Sequence, residues 1–131
     1  MKTIKEVFHH DKPVIALLHI RELPGDPFYS PESSMADVIA AARADLRALQ
    51  AGGVDGVLFS NEYSLPYQPV VDTVTVAAMA VVIGALKEEI RVPFGVHVIS
   101  DAMATIDLAA ATGAAFVRSV FTGGYVGEMG I

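Results

Sequence analysis

Apolar positions along this chain change their period several times, and each change marks an element. Ile4, Val7 and Phe8 recur at helical spacing, so Met1 to His10 reads as a short helix. After Pro13, Val14-Ile15-Ala16-Leu17-Leu18 is short and unbroken by polar residues, as in a strand entered through proline. Leu23-Pro24-Gly25-Asp26-Pro27 is a loop of turn formers. Met35, Val38, Ile39, Ala42, Leu46 and Leu49 then make one apolar stripe, with Asp37, Arg43, Asp45 and Arg47 largely off it. Ser33 or Ser34 can cap this helix, and Asp37 stands where a capping box with Ser34 needs it. Gly52-Gly53 can take the positive φ that closes it, and Val57-Leu58-Phe59 follows as a strand buried on both faces.

A loop holding Pro66 and Pro69 leads to a third long element, Thr73 to Ile90, with Asp72 or Thr73 as its cap. Alternating Val and Thr at its start suit a strand, but its length and the Ala77-Ala78-Met79-Ala80 run favour helix. Pro93 stops it, Phe94 to Ile99 is a third strand, and Ser100 or Asp101 caps an Ala-rich helix ended by Gly113. Ala115 to Phe121 is a fourth strand, and Thr122 to Ile131 is Gly-rich. Strict alternation of helices and short apolar strands implies βαβ units and a parallel sheet. The expected class is α/β in a single domain over 1–131. Its parallel β/α units make either a small open sheet or the first half of a TIM-like (β/α)8 barrel, which typically needs about 250 residues. Ending directly after the fourth strand, with no further crossover helix, reads as an interrupted barrel and an incomplete domain.

Composition narrows the function classes. The hydrophobic fraction is 53%, an excess that a parallel sheet covered by helices explains, as does an apolar surface completed by another chain or a missing half. A net charge of −6 without any basic run disfavours nucleic acid and anionic membrane surfaces as partners. No cysteine is present, which excludes disulfides, thiolate metal sites and a cysteine nucleophile. Glu6, His9, His10, Asp11 and Lys12 occupy the place of a signal-peptide core, and the apolar run Val74 to Leu86 is too short to span a bilayer. The expected location is the cytoplasm.

Sites in barrels and open parallel sheets form at the C-terminal ends of the strands. Those ends carry His19 and Glu22, then Asn61 and Glu62, then His97, Ser100 and Asp101, then Arg118 and Thr122. Glu62 suits a general base or a metal ligand with Asn61 orienting a substrate oxygen; the plainer reading is a loop carboxylate capping backbone amides. His19 suits acid/base work or metal ligation, or a core imidazole bonded to a carbonyl. His97 and Arg118 each interrupt an apolar strand, so each must find a partner. Arg118 reads as a clamp for phosphate or carboxylate, or as a structural pair with Glu62 or Asp101. Adjacent His9-His10 lack ligand spacing and read as a solvated helix end. Glu62, His19 and Asp101 are therefore the catalytic candidates. Asn61, His97, Arg118, Glu22 and Thr122 are the ligand-binding ones. No phosphate loop, dinucleotide fingerprint or nucleophile elbow occurs. No cofactor is specified; a divalent ion on oxygen and nitrogen ligands is compatible with these residues, but no spacing demands one.

Pro13-Val14-Ile15-Ala16 through His19, Leu23-Pro24-Gly25-Asp26-Pro27 and Ala51-Gly52-Gly53-Val54-Asp55-Gly56 followed by Asn61-Glu62 resemble the BtpA/SgcQ family. Ala77-Ala78-Met79, Pro93-Phe94-Gly95-Val96 and Gly113-Ala114-Ala115-Phe116-Val117-Arg118 continue the resemblance in order. Phe59-Ser60-Asn61-Glu62-Tyr63-Ser64-Leu65-Pro66-Tyr67 is similar to the SgcQ branch, found with sugar-uptake genes; at His97 the family usually has Asn. The resemblance implies a TIM-barrel-like protein of about twice this length. It implies relation to phosphate-binding barrels, and an isomerase- or aldolase-like enzyme on a small phosphorylated sugar-like metabolite. One branch is linked to photosystem I accumulation, which implies the alternative of a non-enzymatic stabilising factor for a protein complex. In related barrels the phosphate site comes from loops after the seventh and eighth strands, beyond this chain. Two open sheet edges and an uncovered apolar face lead to the expectation of a homo-oligomer or a complementary barrel half as partner, beside any small-molecule substrate.

Overall fold

The first helix, α1 (Ile4–Phe8), starts on a full capping box. Thr3 Oγ1 accepts from the Glu6 amide at 3.3 Å, and Glu6 accepts from the Thr3 amide at 2.7 Å. The computed structural model describes residues 2–121, so Thr122 and the Gly-rich tail lie outside the described residues. After α1 come β1 (Ile15–His19), α2 (Met35–Ala51), β2 (Gly56–Ser60) and α3 (Thr73–Leu86). A single 3-10 turn, Lys87–Glu89, extends α3 before β3 (Phe94–His97), α4 (Ala102–Thr112) and β4 (Phe116–Val117). The four strands pair in parallel in the order β1-β2-β3-β4. This is an α/β unit consistent with half of a barrel.

Local chemistry fixes the helix limits. Ser34 and Asp37 form the expected capping box on α2, and Gly53 follows its end with φ 80°. Asp101 caps α4 by accepting from the Ala104 amide at 2.9 Å, and Gly113 ends that helix with φ 74°. Asp72 precedes α3 but makes no side-chain cap bond. α3 gives way to the 3-10 turn where Glu89 turns toward α2. There Glu89 accepts from Arg43 Nε at 2.6 Å and Arg47 Nη2 at 2.7 Å, and its carbonyl accepts from Gln50 Nε2 at 3.0 Å.

Residue alternation divides the sheet into two faces. Leu18, Val57, Phe59, Phe94 and Val96 form one core with Leu46 of α2, Met79 and Ile83 of α3, and Leu108 of α4. Each large side chain buried there contributes roughly 1.5–3 kcal/mol. The second face carries Leu17 and His19, then Leu58 and Ser60, then Gly95 and His97, and Phe116. Near the N-terminal strand ends α1 covers it: Phe8 meets Phe116 edge-on with ring centroids 5.2 Å apart. A Cβ on Gly56 would stand 2.7 Å from the Phe8 ring, and one on Gly95 would stand 2.3 Å from the Phe116 ring. The two glycines make room for the two rings.

Strand limits differ from the sequence expectation for visible reasons. β3 stops at His97 because side chains take the next amides: Val98 N donates to Thr105 Oγ1 at 3.0 Å and Ile99 N to Asn61 Oδ1 at 2.8 Å. β4 holds two residues rather than the expected run to Phe121. It pairs only with β3 among the described residues, and its ladder ends where Arg118 N donates to Val96 O at 3.3 Å. Burial on both faces holds for β2, which is buried throughout, but not for β1, an edge strand whose Ile15 and Leu17 are 38% and 44% exposed.

Candidate functional site

Parallel register carries four side chains into one row at the C-terminal ends of the strands. His19 pairs with Ser60, and Ser60 with His97. Val96 pairs with Val117, so Arg118 comes next to His97. Arg118 donates to His97 Nδ1 from Nε at 3.2 Å and from Nη2 at 3.1 Å. Arg118 thus takes a histidine as partner; among the described residues it forms no ion pair with Glu62 or Asp101. The other end of the row is unsatisfied. His19 Nε2 and Ser60 Oγ are buried without a hydrogen-bond partner among the described residues. Leaving such a group unpaired costs about 1–3 kcal/mol, which a ligand or water that bonds it recovers.

Electrostatics tie a carboxylate to this row. Burial pushes His97 below its ordinary value of 6.5, the Arg118 charge pushes it further, and Glu62 opposes both. Glu62 is half-buried on the turn after β2. Tyr67 Oη donates to Glu62 Oε1 at 3.1 Å and lies 2.9 Å from the Glu62 carbonyl. Loss of solvation first, and then Glu62, raise the Tyr67 phenol above 10.0. The row and its flank therefore hold one fixed cation, one carboxylate, two imidazoles and two hydroxyls. That set can bind an anionic or carbonyl oxygen and exchange a proton beside it.

Other candidates stand apart from the row. Asn61 is 2% exposed and its Oδ1 is committed to the Ile99 amide, so it joins the β2 end to the β3 end. Asp101 uses both carboxylate oxygens on backbone, Oδ1 on Ala104 N and Oδ2 on Val71 N, each at 2.9 Å. Glu22 is half-buried and makes no hydrogen bond or ion pair among the described residues. Ser100 adopts φ 68° just before the α4 cap. His10 bonds Asp55 at 3.1 Å at the opposite, N-terminal end of the sheet. Among the described residues no cluster of three or more His, Cys, Asp or Glu could hold a metal ion. No helix among them is long and apolar enough to cross a membrane.

Two participants were not singled out from the sequence. Ser60 interrupts an apolar strand as His97 and Arg118 do, and that same signal identifies it. Asp26 accepts from Leu23 N and from Ser64 Oγ, each at 2.7 Å, and so pins the loop after β1 to the loop after β2. Only its place among turn formers hinted at that.

The row and both loops fall within the stretch matched by the sequence profile of the BtpA family, residues 10–131. The chain belongs to the BtpA family. It is 53% identical to the sgc region protein SgcQ of Escherichia coli (strain K12) over 131 residues, all of this chain and 49% of that protein. An uncharacterised protein of Thermococcus kodakarensis is 35% identical over 122 residues, 92% of this chain and 46% of that protein. The photosystem I biogenesis protein BtpA of Synechocystis sp. (strain PCC 6803) is 31% identical over 129 residues, 96% of this chain and 44% of that protein. The chain spans about half the length of these curated relatives. No solved structure matches it. The family match covers all four strands and every residue of the row, whereas α1 precedes it.

Proposed function

We propose that the chain supplies the first four strand ends of a cytoplasmic BtpA-family enzyme acting on a small, phosphorylated, sugar-like metabolite, by isomerase- or aldolase-like chemistry. In this reading Glu62 moves the proton, His19 orients a substrate oxygen and Arg118 clamps an anionic group. The observation that carries it is the pair of buried, unpartnered atoms, His19 Nε2 and Ser60 Oγ, in the same row as the Arg118 guanidinium. A buried polar atom without a protein partner calls for an explanation, and this reading takes a ligand that bonds it as that explanation. Thermal-shift titration with pentose and hexose phosphates, and with the same sugars unphosphorylated, tests it. Saturable stabilisation by a phosphorylated member is expected, about 2.7 kcal/mol at a hundred times Kd, and its loss in Arg118→Gln. A flat response to every phosphorylated member overturns it.

A second reading follows from the printed name of the Synechocystis relative and from the surface. The described residues expose Phe28, Met103 and Val120 at 69%, 67% and 82%. In this reading these side chains take part in docking a non-enzymatic stabilising factor on a protein complex. Co-purification of a defined protein complex, lost in Met103→Lys, together with a flat response to the sugar panel, favours this second reading over the first.

A further inference from the structure

We infer that Arg118 is a positioning residue for His97: its guanidinium fixes the ring in one tautomer, so that His97 meets a ligand as a neutral Nε2–H donor to an acceptor oxygen and not as a base. The ligand half of this statement rests on reading the row as a binding site; the tautomer half stands on geometry alone.

A guanidinium carries five N–H donors and no acceptor. Two of them converge on His97 Nδ1, from Nε at 3.2 Å and from Nη2 at 3.1 Å. Nδ1 must therefore present its lone pair. A proton there would face two others and bring a second positive charge against the first. The neutral ring then keeps its proton on Nε2. Nε2 takes no partner among the described residues, and it is not one of the buried unpartnered atoms, so among those residues it keeps accessible surface at which a ligand can meet it.

Burial and the neighbouring guanidinium act in the same sense, and Glu62 opposes them. On β2 its register partner is Ser60, which is neutral. Arg118 faces it from the end of β4, and Glu62 acts on it from the turn after β2. Burial and Arg118 together outweigh Glu62, which leaves the ring uncharged near neutral pH. A fixed neutral N–H is suited to an oxygen that gains negative charge during reaction, because the donor is already oriented. The ligand class this selects is a small molecule presenting a carbonyl, carboxylate or phosphoryl oxygen at His97. Proton removal falls to Glu62, whose side chain is half-buried at the same mouth.

Two-bond proton–nitrogen spectra of the histidine-labelled chain at neutral pH test the assignment. Expected is a single His97 form, protonated on Nε2 and bare on Nδ1, with a titration midpoint below the ordinary histidine value of 6.5. A ring protonated on Nδ1, or on both nitrogens, overturns it. Arg118→Met is expected to raise the midpoint and mix the tautomers; an unchanged ring shows that something else fixes it and removes Arg118 from the role. Should that variant fail to fold, Glu62→Gln serves: it is expected to lower the midpoint further, and a rise counts against the arrangement. Inorganic phosphate is the ligand probe. A saturable shift of the His97 Nε2–H signal supports the donor role, whereas saturable shifts that leave His97 unmoved defeat it. No response to phosphate or to any sugar phosphate defeats the binding-site reading and the ligand half with it, while the tautomer spectrum still decides the role of Arg118.

Discussion

Asp101 and Glu62 look alike in the sequence, each an acidic residue just past a strand, but their surroundings differ. Both oxygens of Asp101 accept backbone amides, one at the start of α4 and one from Val71, 30 residues away in sequence. Glu62 has a tyrosine hydroxyl on one oxygen and sits within electrostatic reach of His97. Asp101→Ala is therefore expected to cost about 1–3 kcal/mol, a lost cap plus an amide left unpaired, read from the urea midpoint. Asp101→Asn keeps one acceptor for the cap but sets an amide NH2 against the Val71 N–H, so it is expected to recover only part of that loss while leaving the response to sugar phosphates intact. Loss of that response with stability preserved would return Asp101 to the ligand site. The cap was legible in the sequence because it acts over three residues. The tie to Val71 was not, and neither was the bond from Ser64 to Asp26, because a hydrogen bond that spans a loop leaves no local pattern. Ser60 was missed although its signal, a polar residue in an apolar strand, was the one that marked His97 and Arg118.

Elements were easiest to read where a helix announced both of its ends. Ser34, Asp37 and Gly53 bracket α2, and Asp101 and Gly113 bracket α4, so their limits follow from chemistry within one turn. Strand ends depend on neighbours. β3 ends where Thr105 and Asn61 capture its next amides, and β4 ends where β3 has no more backbone to offer. The packing of α1 over the second face was equally hidden, since it depends on Gly56 and Gly95 standing under Phe8 and Phe116. Gly95→Ala tests that packing. Its methyl would come within 2.3 Å of the Phe116 ring, and the ring is held in turn by Phe8. The expected cost is about 1–3 kcal/mol from overpacking. Trimming the ring in Gly95→Ala/Phe116→Leu should give back more stability than the two single changes sum to, because the residues touch. Strict additivity in denaturant unfolding would mean that the ring swings clear and that α1 does not confine it.

At the scale of the molecule, the sheet is well covered on one face and poorly finished at its sides. α2, α3 and α4 bury the core, whereas β1 and β4 each pair on one side only among the described residues. Ile15 and Leu17 of β1 stand 38% and 44% exposed, and Val117 of β4 stands 37% exposed. Unpaired parallel strands with apolar side chains are templates for further pairing. The BtpA-family relatives are about twice as long as this chain, so their sequences contain chain enough to cover such edges. A separate chain of this sequence has its own copies available for the same purpose. We therefore expect the 131-residue chain to self-associate at micromolar concentration in sedimentation velocity. Leu17→Lys, which sets a charge on the outermost strand, should shift the distribution toward monomer without lowering the unfolding midpoint by more than about 1 kcal/mol, because Leu17 lies outside the helix-side core. A single monomeric boundary for the unmodified chain would show that its edges are protected without a partner. Self-association unaffected by Leu17→Lys would move the contact from β1 to the β4 side or to the exposed side chains of the helices.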